Sequence, residues 1–189
     1  WQEVTESYQP SARADHEIVY DSTRGLIVLF GGYSAEGDQD DTWEYNGMYW
    51  LEKETTDAPA PRDGYMMAYD STEERTVLFG GWELLNFFAD TWMYNGFNWQ
   101  QLGGAANPIK RSDHAMAYDN KRGVGVLFAG WGSFEDLTDT WEHDGEAWQQ
   151  IETSTIPPER YGHAMVYDSA RDVVLLFGGE GEGRTKLDD

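Results

Sequence analysis

Four arginines recur at a constant step of 49 residues: Arg13, Arg62, Arg111 and Arg160. Each is followed three positions on by a ring that can hydrogen-bond, His16, Tyr65, His114 or His163. Planar guanidinium forks suit bidentate capture of carboxylates, so the set is a candidate anion pocket. The competing reading is that each arginine bonds backbone carbonyls or an acidic neighbour. Because all four units carry the residue at one position, the structural reading is preferred. The other chemistry is sparse. Asp38, Asp40 and Asp41 cluster in one loop, but the spacing departs from D-x-[DN]-x-[DN]-G and no glutamate closes it, which leaves them a weak calcium candidate. No other metal and no cofactor is expected. The fourth histidine, His143, completes no H-x-x-x-H pair, and there is no cysteine for a thiolate site or a disulfide. Neither a Ser, His and Asp constellation nor a Gly-rich phosphate loop stands out from spacing.

The elements that position these residues follow from the same step. It also links Pro10, Pro59, Pro108 and Pro157, then Phe30, Phe79, Phe128 and Phe177, then Asp41, Asp90, Asp139 and Asp188. A period of about 20 to 50 residues marks a solenoid, a propeller or an array. Each unit reads as four short strands. The first, as in His114 to Asp119, alternates with period two. The second is a continuous apolar run such as VLFGG, fitting a strand buried on both faces, and ends in a glycine pair. Ala129-Gly130 is the one departure from that pair. The third, DTWEYNG, leads through Asn46-Gly47, Asn95-Gly96 or Asp144-Gly145 to a fourth, and these dipeptides predict type I′ hairpins. Repeated four-stranded units with a glycine pair and tryptophans are the cues of propeller blades.

The chain resembles the Kelch-repeat β-propellers over its whole length. The resemblance rests on the glycine pair, on Trp43, Trp92 and Trp141 in the third strand, and on Trp50, Trp99 and Trp148 seven positions later. The DTWEYNG wording is similar to bacterial members. What this implies is an all-β Kelch-type propeller, located outside a bacterial cell or on its surface. Copper oxidases of this kind need a cysteine crosslink, which this sequence cannot supply.

Composition agrees with a folded chain. Of 189 residues 40% are hydrophobic and 15% aromatic, enough for a sizeable core. The 13 Lys and Arg against 35 Asp and Glu give a net charge of -22, which argues against nucleic acid and anionic membranes as partners. No apolar run approaches about 18 residues, so no inserted helix is expected. The sequence opens on Trp1 rather than Met, which points to an upstream segment such as a secretion signal.

Blade repeats are expected at about 12–60, 61–109, 110–158 and 159–189, with Trp1 to Val4 as a detached fourth strand. Residues 1–189 then form one propeller domain or, on the preferred reading, a segment of a larger propeller with further blades; a closed four-bladed ring is the alternative. In an up-and-down blade the arginines, with His16, Tyr65, His114 and His163, ring the channel mouth beneath the loops that follow each glycine pair. Those loops differ far more than the strands, and repeat proteins place recognition on such faces. Tyr33, Trp82, Leu84, Leu85, Phe87, Phe88, Trp131 and Phe134 are the candidate partner-binding residues. The expected function is a non-enzymatic recognition or scaffold module for a protein or glycan. The alternative is an isomerase or lyase acting on an acidic sugar at the arginine and histidine ring.

Overall fold

A computed structural model describes residues 8–104, 107–133 and 135–189. The expected strand at Trp1 to Val4, and Phe134, lie outside the described residues. Among those described there is no α-helix, only a 3-10 turn at Glu182–Arg184.

The first repeat folds as β1 (Glu17–Asp21), β2 (Leu26–Phe30), β3 (Thr42–Tyr45) and β4 (Trp50–Lys53), hydrogen-bonded antiparallel in that order. The second repeats it with β5 (Met66–Asp70), β6 (Arg75–Phe79), β7 (Thr91–Tyr94) and β8 (Trp99–Leu102). The third has β9 (Ala115–Asp119), β10 (Val124–Phe128), β11 (Thr140–His143) and β12 (Trp148–Ile151). The fourth contributes the hairpin β13 (Ala164–Asp168) and β14 (Val173–Phe177). Register is the same throughout: Glu17, Met66, Ala115 and Ala164 face Phe30, Phe79, Phe128 and Phe177. Since side chains alternate with period two, a shared register puts equivalent residues on equivalent faces. The first strands lie side by side, β1 beside β5, β5 beside β9 and β9 beside β13.

The core therefore sits between consecutive blades. Val28 and Phe30 of the first pack on Tyr65, Met67, Leu78, Tyr94 and Trp99 of the second. Ala68 and Phe79 of the second pack on Met116, Leu127, Trp141 and Trp148 of the third. Trp43, Trp99, Trp141 and Trp148 are buried, while Trp50 and Trp92 are half-buried. Faces without a neighbouring blade are open. Phe177 is 65% exposed, whereas its equivalents Phe30 and Phe79 are at 0%.

One local feature differs from expectation. Four residues, not two, separate Tyr45 from Trp50, and Asn46 is not among the positive-φ residues. The turn is not type I′, because that type needs positive φ at both central residues. Instead the Asn46 side-chain oxygen accepts from the amides of Met48 (3.0 Å) and Tyr49 (3.1 Å), and only Gly47 is left-handed. The second glycine of each pair is strict for a steric reason. At Gly32 a Cβ would meet His16 Cβ at 2.6 Å and the Ala14 carbonyl at 2.8 Å.

Candidate functional site

Each ring arginine is clamped. Arg111 donates from Nη1 and Nη2 to the two oxygens of Asp139, both at 2.7 Å, from Nη1 to the Ala129 carbonyl at 2.9 Å, and from Nε to the Ile109 carbonyl at 3.0 Å. Arg62 makes the same set with Asp90, Gly80 and Ala60, and Arg13 with Asp41, Gly31 and Ser11. Arg62, Arg111 and Arg160 are fully buried. The carboxylates also accept the indole N–H of Trp43, Trp92 and Trp141 at 2.6, 2.7 and 2.6 Å. Burial alone would push Asp41, Asp90 and Asp139 up. The bonds from arginine and tryptophan, with the arginine charge, outweigh it and leave all three below the usual carboxylate range. In the fourth repeat the period points to Asp188, yet Arg160 pairs with Asp189 at 3.0 Å. Gly178 likewise donates to the Asp189 carbonyl, where Gly31 uses that of Asp41. The added residue falls in the segment holding the 3-10 turn at Glu182–Arg184.

Behind the clamps lies a layer of buried rings. Tyr65 donates its hydroxyl to the Phe30 carbonyl of the preceding blade. His114 and His163 occupy the same position and meet Phe79 and Phe128 edge-on at 5.7 Å. Burial, then the charge of Arg160, pushes His163 down to about 4, and burial and Arg111 hold His114 well below its usual value. Both are neutral at pH 7. His16 is shifted in the same direction by burial and Arg13. A backbone relay links successive repeats just before their first strands. Gly64 N–H donates to Asp15, Asp113 to Gly64 and Gly162 to Asp113, at 3.3, 2.8 and 2.8 Å, and all four residues have positive φ. The sequence offered a signal for it, an Asp or Gly at every step of 49, which the reading above did not use.

A sequence model described as the KLHDC2/KLHL20/DRC7 Kelch-repeats domain matches residues 1–179. The chain belongs to the Kelch-repeat family. Comparison with the curated proteins gave no match. Kelch repeats generally mediate protein–protein interaction, and the Kelch domain described here accords with a scaffold module.

The loops of the Kelch domain are held by short ladders, within the loop in the second repeat and to the segment before the first strand in the third. Trp82–Glu83 pairs with Asn86–Phe87, and Arg111–Ser112 with Trp131–Gly132. Aromatic rings run across three repeats: Trp82 to Phe87 at 5.9 Å, Phe87 to Trp131 at 5.8 Å, and Trp131 to Tyr161 at 6.4 Å. Tyr161 was not among the expected residues, because it falls in the linker before the first strand. Leu84 and Leu85 are exposed at a hairpin tip, and Tyr33 is exposed on the first repeat. Phe88 faces inward, with the Arg62 guanidinium 3.9 Å from its ring centroid. The aspartates of the first loop have separate surroundings: Asp41 holds Arg13, Asp38 lies beside Asp63 and raises its carboxyl, and Asp40 is exposed.

Burial pushes Asp63 up to about 7, helped by Asp38 and by the charge of Asp15 and opposed by the Trp82 N–H. A carboxyl whose pKa is higher folded than unfolded keeps its proton longer in the native state, so stability falls as pH rises from about 4 to 7. Asp63→Asn should therefore raise the melting temperature at pH 8 by about 5 °C and leave it nearly unchanged at pH 4. Thermal melts at the two pH values check this; an equal shift at both would show that the effect is not ionisation.

Proposed function

We propose that this Kelch domain is a non-enzymatic recognition module that engages a protein partner through the loops above the arginine ring. The observation that carries this reading is the aromatic row from Trp82 through Phe87 and Trp131 to Tyr161, which crosses repeats on the one face where the repeats differ. Aromatic anchors with exposed apolar neighbours such as Leu84 and Leu85 are the composition of a contact hot spot. The reading as an isomerase or lyase for an acidic sugar needs free guanidinium donors, and Arg62 and Arg111 already spend theirs on carboxylates and carbonyls.

Changing Phe87 and Trp131 together to Ser should reduce affinity capture of protein partners about tenfold. The melting temperature should stay within about 3 °C, because each loop keeps its backbone ladder, which side-chain truncation leaves in place. Phe97→Ser is the control, an exposed aromatic on a hairpin turn of the opposite face. Equal loss in the control, or unfolding of the double variant, would overturn the assignment; in the second case the rings are a small core of the loop tops.

A further inference from the structure

A cavity of about 540 Å³ opens between the third and fourth repeats, lined by Asp113, Trp131, Asp136, Tyr161, Glu180 and Arg184. On its other side Asp113 faces Gly64, to whose carbonyl its amide donates at 2.8 Å. A Cβ placed at Gly64 would meet both Asp113 Oδ1 and Trp82 Cδ1 at 3.4 Å, so the carboxylate and the indole flank one point. Asp113 thus stands between Trp82 and the Trp131 and Tyr161 pair, with its other oxygen 2.8 Å from the Ser112 hydroxyl.

Acidic groups outnumber basic ones in this lining, Asp113, Asp136 and Glu180 against Arg184. The arginines beneath are each consumed by their own carboxylate, and Glu180 is held by Lys186 and by the Tyr161 hydroxyl. Among the described residues, Asp15, Asp38, Asp63, Asp113 and Asp136 have no cation within 4.0 Å; Arg184, which lines the same cavity and acts by its charge on Tyr161 and Glu180, makes no ion pair. Burial and the charge of Asp15 raise the Asp113 carboxyl, which the Ser112 hydroxyl partly offsets. A positive group arriving at this point relieves that repulsion.

We propose that the occupant of the aromatic row is a basic segment of the protein partner, with a lysine or arginine side chain seated at Asp113 between Trp82 and the Trp131 and Tyr161 pair. The inference rests on the loop face being the partner surface. The chemistry selects the class. Indole and phenol faces attract ammonium and guanidinium groups but are not ligands for calcium or magnesium, which take oxygen. An anionic segment would meet the carboxyl groups of Asp113 and Asp136, neither of which has a cation partner. The net charge of -22 draws a basic partner from a distance and speeds its encounter.

Calorimetry with hexalysine at physiological salt tests this, with hexaglutamate and a neutral oligosaccharide as comparison probes. Asp113→Asn keeps the backbone, since asparagine tolerates the φ of 53° found there. It should weaken hexalysine binding about tenfold, and Trp131→Ala should do the same. Glu73→Gln removes one charge from a turn on the opposite face and should change affinity less than about twofold. Equal weakening by Glu73→Gln and Asp113→Asn would mean only bulk attraction and would overturn the proposal. So would Trp131-dependent binding of the oligosaccharide with hexalysine ignored. If hexalysine fails to bind while partner capture still depends on Phe87 and Trp131, the basic segment is refuted and the partner surface stands. If hexalysine binds at Asp113 but capture is indifferent to Phe87 and Trp131, the cation seat stands and the partner surface falls.

Discussion

Replacing Arg111 with lysine should lower the melting temperature by about 10 °C. Arg111 is fully buried, and its fork makes four bonds at once: two to Asp139, one to the Ala129 carbonyl and one to the Ile109 carbonyl. An ammonium on a flexible stem cannot reproduce that planar set. It keeps the charge opposite Asp139 but leaves carbonyls and one carboxylate oxygen underpaired around a buried position. Disrupting a buried pair costs about 3 to 5 kcal/mol, and the retained charge puts this variant at the lower end. Asp139→Asn should cost more, because it leaves a buried guanidinium uncompensated. The acid dependence has a definite sign. Asp139 is held below its usual range in the folded chain, so its contribution is complete above the unfolded value of about 3.9 and is lost as pH falls through the folded value. The gap between wild type and Asp139→Asn should therefore close only in strong acid. Chemical denaturation at pH 7 and pH 3 reads both effects. Unchanged stability for Arg111→Lys, together with loss of binding to an anionic sugar, would refute the clamp and favour the enzyme alternative.

The repeat made the blades legible. A step of 49 aligned the arginines, the phenylalanines and the third-strand tryptophans, and alternation assigned the faces that the shared register then displays. The same step named Asp41, Asp90 and Asp139 without joining them to the arginines, since the two lie 28 residues apart in sequence and meet only when the long loop folds back. Turn chemistry was legible as to place and not as to type. An Asn-Gly dipeptide marks a hairpin equally well with two loop residues or four, and the asparagine side chain decides between them by capping two amides. The loops carried the least information. Phe87 and Phe88 are adjacent in sequence, yet one joins the aromatic row and the other lies against Arg62, and no periodicity tells them apart. Asp63 and Asp113 were passed over because their burial comes with folding and the charge that raises both, that of Asp15, lies in another repeat.

The tryptophans that open the fourth strands test the packing between blades, because the repeat supplies its own control. Trp99 is 1% exposed. It meets Phe30 of the preceding blade and Tyr94 of its own, each at 5.1 Å between centroids, and donates its indole N–H to Thr42 across the blade boundary at 2.9 Å. Trp148 repeats the arrangement with Phe79 at 5.2 Å and with Thr91 at 2.8 Å. Trp50 holds the same position in the first repeat but is half-buried, and its ring contact is Tyr45 of its own blade. If the core lies between blades, truncation should cost most where a preceding blade is present. Trp99→Ala should remove about 3 to 5 kcal/mol and leave Thr42 without its indole partner, and Trp148→Ala should match it. Trp50→Ala should cost roughly 1 to 2 kcal/mol, the loss from burial within a single sheet. Urea titrations of the three variants measure the order directly. Equal costs at Trp50 and Trp99 would mean that these rings stabilise their own blade rather than the boundary, and the interblade core would have to be abandoned as the main source of stability.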